Sequence, residues 1–219
     1  MSTFLVTGAN RGIGLELARQ LQARGETVIA TTRGPSPELD ALGVRVETLD
    51  VTDADSIAAL ASRLDGVQLD VLIHNSGVLH PTTLGELDIA KMRQMIEVNS
   101  FGPLLLTEAL LGNLVEGSKV AIVTSRMGSL SDNTSGGAYG YRMSKAAVNA
   151  AGKSLSIDLK PRGIAVGLLH PGWVRTRMTG GNGLVDAPES AAGLLARIDE
   201  LTLAHTGSFV HMNGEPLPW

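Results

Sequence analysis

The chain predicts a doubly wound α/β domain, a parallel sheet of about seven strands with helices on both faces. Three observations predict it. Short apolar runs alternate with helical stretches along the whole length, the pattern of βαβ units joined by right-handed crossovers. Hydrophobic residues make up 43% of the chain but aromatics only 3%, so the core must be built from Leu, Val, Ile and Ala, as suits strands buried on both faces. The first apolar run also leads straight into a glycine-rich turn, Thr7-Gly8-Ala9-Asn10-Arg11-Gly12-Ile13-Gly14.

The runs that read as strands are Phe4–Val6, Thr27–Thr31, Arg45–Leu49, Asp70–His74, Val120–Thr124, Ile164–Leu169 and Ser208–His211. The helical stretches are Gly12–Arg24, Asp53–Leu64, Glu86–Val98 continuing through Pro103–Leu114, Gly140–Lys160 and Pro188–Leu201. In the first of them Leu15, Leu17, Ala18 and Leu21 recur at helix spacing. Gly34-Pro35-Ser36-Pro37 is the most broken stretch, yet it is too short to serve as an interdomain linker, and no repeat interrupts the pattern. A single domain over residues 1–219 is therefore expected, with Gly180-Gly181-Asn182-Gly183 as a flexible lid on the carboxyl side of the sheet.

Bulk properties exclude several classes. The net charge is −4 with no basic stripe, so no nucleic-acid partner is expected. No apolar run approaches the roughly 18 residues of a bilayer span, and the N-terminus carries no basic region followed by an apolar stretch. The absence of cysteine excludes disulfides and thiolate metal sites. A cytoplasmic protein with no membrane partner is expected; Asn133-Thr134-Ser135 reads as a polar loop rather than a glycosylation site. No metal site is expected either, because His74 has no second ligand at metal spacing.

A strand, a turn of three glycines and a helix start suit a dinucleotide. The glycines let backbone approach the pyrophosphate, and free N–H groups at the helix N-terminus face its charge. The spacing here, G-x-x-x-G-x-G, departs from the common G-x-G-x-x-G; alone, such a turn also serves as an ordinary tight βα connection. A second cluster is Tyr141-Arg142-Met143-Ser144-Lys145. Tyr141 and Lys145 lie four apart on a helix and so share a face. A phenol with a reference pKa of about 10 is a poor acid or base until a neighbouring ammonium favours its ionised form. Ser125 ends the preceding strand, where its hydroxyl can donate to a carbonyl oxygen held between it and Tyr141. Tyr139 competes for the role, but it has Met143 rather than lysine at i+4.

Taken together, these residues resemble the short-chain dehydrogenase/reductase family, whose members share the Rossmann arrangement. The resemblance covers the whole chain: the Thr7–Gly14 turn, Asp50-Val51, His74-Asn75-Ser76-Gly77, Asn99, Ser125, Tyr141 with Lys145, and Pro171-Gly172. The long Ser125–Tyr141 spacing, Tyr139-Gly140-Tyr141-Arg142 and Pro218-Trp219 look more like its C-factor/sniffer-type carbonyl reductase branch. The resemblance implies Tyr141 as acid/base, Ser125 as the group polarising the substrate, and Lys145 as binding the nicotinamide ribose and lowering the tyrosine pKa. It implies for Asn99 a water that links Lys145 to solvent, although Asn99 also reads as a helix-kink residue satisfying freed backbone groups.

The cofactor follows from the end of the second strand. Thr31-Thr32-Arg33 lacks the carboxylate that would accept from the adenosine ribose. Arg33 and Arg11 can instead pair with a 2′-phosphate, so NADPH rather than NAD is expected. Gly8, Asn10, Gly12, Ile13 and Gly14 belong to the same cofactor-binding set. Asp50 and Val51 look like the family's adenine-contacting pair. His74-Asn75-Ser76-Gly77 departs from the usual Asn-Asn-Ala-Gly but keeps Asn75 and Gly77, with Ser76 also in the set. Pro171, Gly172, Val174 and Thr176 match the nicotinamide-facing loop.

Met127, Tyr139, Trp173 and Met178 are candidates for an apolar substrate cleft, although methionines equally fill cores. The expected activity is NADPH-dependent reduction of an aldehyde or ketone to an alcohol, in a homodimer or homotetramer formed through the two long helices. An NAD-dependent alcohol dehydrogenase and a signalling protein that senses cofactor remain as alternatives.

Overall fold

In a computed structural model that describes all 219 residues, the seven apolar runs become seven strands. They are β1 (Thr3–Val6), β2 (Thr27–Thr32), β3 (Arg45–Thr48), β4 (Leu69–His74), β5 (Leu114–Val123), β6 (Ala165–His170) and β7 (Ser208–His211). All join one parallel sheet in the order β3-β2-β1-β4-β5-β6-β7. The helices are α1 (Gly12–Ala23), α2 (Pro37–Asp40), α3 (Ala54–Arg63), α4 (Ile89–Ile96), α5 (Gly102–Ala109), α6 (Tyr139–Asp158) and α7 (Ala187–Glu200).

Successive strand residues are apolar and point to opposite faces, so the sheet needs cover on both sides. Phe4, Val6 and Ile73 meet Leu17 and Leu21 of α1 and Leu194 and Ile198 of α7. Leu5, Leu72 and Ile122 face Ile57 and Leu60 of α3, Leu106 of α5 and Val148 of α6. Each fully buried side chain of this size contributes about 1.5–3 kcal/mol. From β1 the chain winds one way to β2 and β3, then crosses to β4 on the other side. The crevice of a doubly wound sheet opens at such a switch point, here between the glycine turn after β1 and the Asn75-Ser76-Gly77 segment after β4.

Three elements differ from the sequence reading. The helix expected through Leu114 stops at Ala109, and Leu114 already pairs with Leu69 in the sheet. The repeating leucines mimic a helix, but Asn113 folds the chain back by donating to the carbonyls of Leu64 and Val67, both at 2.7 Å. The helix expected from Glu86 begins only at Ile89, because the Asp88 carboxylate caps it by accepting from Lys91 N at 3.0 Å. Pro37–Asp40, read as broken chain, is a single helical turn with Pro37 at its start and the Ser36 hydroxyl accepting from Leu39 N.

His74 at the end of β4 is tied to Thr107 of α5. Thr107 Oγ1 donates to Pro103 O at 2.8 Å, so His74 must donate through Nε2 to Thr107 Oγ1, also at 2.8 Å. Burial holds the His74 pKa down at about 3, below the unfolded value of about 6.5. The stability that goes with the neutral ring is complete above pH 6.5 and is lost as pH falls from there toward 3, by about 1.4 kcal/mol per pH unit. His74→Asn, which restores the family's usual residue, should therefore show an unfolding free energy that falls less steeply between pH 6 and 4 than that of the native chain. Urea titrations at successive pH values measure it, and equal slopes would refute the assignment.

Candidate active site

Free donors and missing side chains shape the switch point. α1 starts at Gly12, and Arg11 before it is extended and makes no side-chain cap bond. The first-turn N–H groups are thus left for a ligand, at the positive end of the helix dipole. The turn is held from behind by β4. Thr7 Oγ1 accepts from Asn75 N and Ser76 N, both at 3.0 Å. Asn75 Nδ2 donates to Thr7 O at 3.0 Å and Gly8 O at 3.2 Å. A Cβ on Gly14 would fall on the Gly8 carbonyl oxygen and 2.5 Å from Asn75 Nδ2. Gly8 and Gly12 have φ of 64° and 54°, a region open to glycine at little cost. This uncapped, Cβ-free cradle fits a pyrophosphate. The Asn75 amide nitrogen is committed to the turn, so Asn75 shapes this cradle.

Arg11 and Arg33 are both exposed beside this cradle's strands. The Asp50 carboxylate accepts from Thr52 Oγ1 at 2.7 Å and Thr52 N at 2.9 Å. These bonds, with the nearby Arg33 charge, hold it below the usual carboxylate range. Asp53, not Asp50, caps α3. Val51 lies against α5, where a Cβ on Gly102 would come within 2.9 Å of the Val51 Cβ.

On the other side of the crevice, β5 ends at Val123 rather than at Ser125. Ser125 instead caps a short 3₁₀ turn, Arg126–Gly128, by accepting from Met127 N at 3.1 Å. α6 is launched by Gly136, Gly137 and Ala138, all with positive φ. At 47° Ala138 carries a strain of about 1–3 kcal/mol. Tyr141 and Lys145 follow, both buried, with Lys145 Nζ 5.8 Å from the phenol ring centroid and donating to Val123 O at 3.0 Å.

Burial moves the two groups in opposite directions. The Tyr141 pKa is pushed up to about 12 by desolvation, which the facing Ser125 hydroxyl only partly offsets. Desolvation lowers Lys145 to about 8. Loss of water thus dominates the phenol, while the Lys145 ammonium is engaged with a backbone carbonyl. The phenol stays protonated at neutral pH and is poised to donate.

Between α4 and α5 the chain makes one π-helical turn, Glu97–Phe101. Asn99 occupies its centre, with Oδ1 accepting from Val78 N at 2.8 Å and Nδ2 donating to Val78 O and Ser144 Oγ, both at 2.9 Å. Its side chain is therefore the structural clamp that the kink reading described. Its main-chain carbonyl is different: Pro103, four residues on, has no N–H to offer it.

Pro171-Gly172 leads from β6 to a loop that meets the glycine turn, Thr176 Cγ2 lying 3.5 Å from where a Gly12 Cβ would stand. Val174 bridges to Val185, and Thr179 Oγ1 donates to Val174 O at 2.8 Å. Met178 reaches across Gly77. Of the four cleft candidates, Met127 is half-buried, while Tyr139, Trp173 and Met178 are 37%, 53% and 42% exposed. They form a rim rather than a closed wall. An apolar hollow of about 390 Å³, lined by Ile89, Met92, Ile96, Phe101 and Met143, lies along α4 and α6 and holds none of them.

Sequence reasoning missed Ser100, Thr107 and Ser144. Ser144 Oγ donates to Tyr141 O and accepts from Asn99, while Ser100 Oγ donates to Ser144 O at 2.7 Å. One signal was present, since Ser144 sits between the singled-out Tyr141 and Lys145. A lone serine in a helix, though, says nothing about its partner 44 residues away.

Known proteins resemble this chain in sequence and fold. Residues 2–184 match the model of the short chain dehydrogenase family. A 1-hydroxy-2-glutathionyl-2-methyl-3-butene dehydrogenase of Rhodococcus sp. (strain AD45) is 47% identical over the full length of both chains. The C-signal protein of Myxococcus xanthus is 48% identical over 74% of this chain and 99% of its own. An NADPH-bound carbonyl reductase from chicken fatty liver superposes with a TM-score of 0.91 at 32% identity, covering 100% of this chain and 99% of that one.

In an ordinary helix Gly→Ala gains about 1 kcal/mol. At Gly14 the added methyl has no room, and Gly14→Ala should instead lower the unfolding free energy by about 1–3 kcal/mol through overpacking. Urea unfolding tests this; a more stable variant would contradict the crowding described here.

Proposed function

The chain belongs to the short-chain dehydrogenase family, and from that premise we propose that it reduces an aldehyde or ketone carbonyl to an alcohol with NADPH. The observation that carries this reading is the pairing of a buried, protonated Tyr141 phenol with the Ser125 hydroxyl, beside a glycine cradle with uncapped helix donors. When bound, NADPH supplies the hydride. The N–H groups at Gly12, Ile13 and Gly14, with Gly8 and Asn10 shaping the turn, hold its pyrophosphate. Arg11 and Arg33 pair with its 2′-phosphate, and Asp50 and Val51 face its adenine. Ser76 and Gly77, with Pro171, Gly172, Val174 and Thr176, line the rest of its path.

Ser125 donates a hydrogen bond to the substrate oxygen and fixes its position. Tyr141 gives that oxygen its phenolic proton as negative charge develops there. Lys145, an ammonium below pH 8, turns from Val123 O to ribose hydroxyls and stabilises the phenolate left behind. The Asn99 main-chain carbonyl, lacking an i+4 donor, holds the water through which Lys145 regains a proton from solvent. Met127, Tyr139, Trp173 and Met178 form an open rim that tolerates varied apolar substrates.

No helix is long and apolar enough to cross a membrane, and with a cysteine-free chain a cytoplasmic enzyme is the fitting setting. Phe101, Leu104, Leu105 and Met143 are exposed along α5 and α6 and their junctions, which supports a homodimer or homotetramer through those helices.

Two observations favour rival readings. The Rhodococcus relative is named a dehydrogenase, which favours oxidation with NAD. The C-signal relative favours a signalling role in which turnover is secondary. Steady-state assays on small aldehydes and ketones separate the three. Tyr141→Phe is expected to lose at least about 1,000-fold in kcat, as for a group that both donates a proton and polarises its acceptor, while binding NADPH as before. Undiminished turnover in that variant would end the mechanism. Arg33→Asp is expected to weaken NADPH about 10- to 100-fold, the worth of a lost charge-assisted bond plus repulsion, and to leave NADH within about threefold. Equal losses for both cofactors would remove Arg33 from the 2′-phosphate site.

A further inference from the structure

Ser125 stands on the turn after β5, whereas Tyr141 and Lys145 stand on α6. Joint action on one substrate oxygen requires these two elements to be held in a single register. Thr124, immediately before Ser125, is buried, and its Oγ1 donates to Asn149 Oδ1 at 2.6 Å. Asn149 is also buried and lies four residues beyond Lys145 and eight beyond Tyr141, so the three occupy one stripe of the helix. Its Nδ2 has no partner in the protein, leaving the bond to Thr124 as the one link of that side chain.

The other contacts between the strand end and the helix cannot do this alone. A Cβ on Gly128 would come 2.7 Å from Lys145 C and 2.8 Å from Asn149 Nδ2. That packing sets how close the turn can come but has no direction along the helix. Arg142 Nη1 reaches Met127 O only at 3.5 Å and is partly exposed. The Lys145–Val123 bond would be given up were the ammonium to bind ribose hydroxyls, as proposed above.

We propose that the Thr124–Asn149 hydrogen bond is a positioning device that sets the spacing between the Ser125 hydroxyl and the Tyr141 phenol while touching neither substrate nor cofactor. It rests on the reading of Ser125 and Tyr141 given above. A displacement of about 1 Å between such groups lowers a rate by about 100-fold, and a short buried bond one residue from Ser125 is well placed to prevent it.

The test compares Thr124→Val, Thr124→Ser and Asn149→Leu, with Tyr141→Phe alongside, by kcat, carbonyl KM, NADPH affinity and thermal midpoint. Thr124→Val and Asn149→Leu are each expected to lower kcat about 10- to 100-fold, with KM and NADPH affinity within about twofold. Thr124→Ser, which keeps the hydroxyl, should recover most of the rate, and the Thr124→Val/Asn149→Leu double variant should be no slower than the slower single. A lower thermal midpoint with kcat unchanged well below it would reduce the bond to a purely structural one and overturn the proposal. If Thr124→Val yields no folded protein, the same readings on Asn149→Ser decide the matter. Loss of turnover in Tyr141→Phe with full kcat in Thr124→Val sinks the positioning role alone; retained turnover in Tyr141→Phe sinks both.

Discussion

The hydrogen bonds from Asn75 to the turn after β1 are the constraint on which the remainder of the crevice depends. Asn75 Nδ2 ties together the carbonyls of Thr7 and Gly8, which fixes the backbone that α1 grows from. Once those carbonyls are held, Gly14 has no space for a side chain, and the first turn of α1 must present bare N–H groups. Thr7 Oγ1 in turn accepts from Asn75 N and Ser76 N. Two strands adjacent in space but 68 residues apart in sequence thus shape each other's ends, and the uncapped N–H groups of α1 are a by-product of how they are joined.

A second constraint is the burial of Tyr141 and Lys145. Desolvation disfavours whichever form is charged, so the same environment raises the phenol and lowers the ammonium. The result suits reduction: a neutral phenol donates, and a lysine poised near pH 8 takes up and releases its proton readily. Nearby, the π-helical turn provides what a regular helix could not. Its extra residue brings Asn99 and Ser100 together onto Ser144, so that α4, α5 and α6 are bolted at the level of the active site. Such turns recur at functional sites, and here Gly102 N donates to Glu97 O just before Pro103 enters the next helix.

Most of the architecture was legible because it rests on local pattern. Apolar runs such as those of β1, β2, β4, β5 and β6, buried on both parities, read as strands of a sheet covered on two sides, and the glycine turn and the Tyr141/Lys145 pair are each legible within eight residues or fewer. What stayed hidden depends on partners far along the chain. Leu104 to Leu114 reads as continuous helix until Asn113 finds Leu64 and Val67. Asn75 gives no sign in the sequence that its side-chain donors are engaged by the turn it faces. The Tyr141 pKa escapes sequence reading for a similar reason: the charge beside it is in the sequence, but the depth of its burial is not.

The same distinction explains why substrate identity is less constrained than mechanism. The groups proposed to act on a carbonyl oxygen, Ser125, Tyr141 and Lys145, sit buried on the turn after β5 and on α6. The groups proposed to contact the remainder of a substrate, Met127, Tyr139, Trp173 and Met178, sit on turns and at the start of α6, and the last three are exposed. Loops of that kind can change residue by residue without disturbing the core that aligns Ser125, Tyr141 and Lys145. A relative named for a glutathionyl alcohol and a solved carbonyl reductase can therefore share this backbone, because chemistry and selectivity are carried by segments of the chain with different freedom to vary.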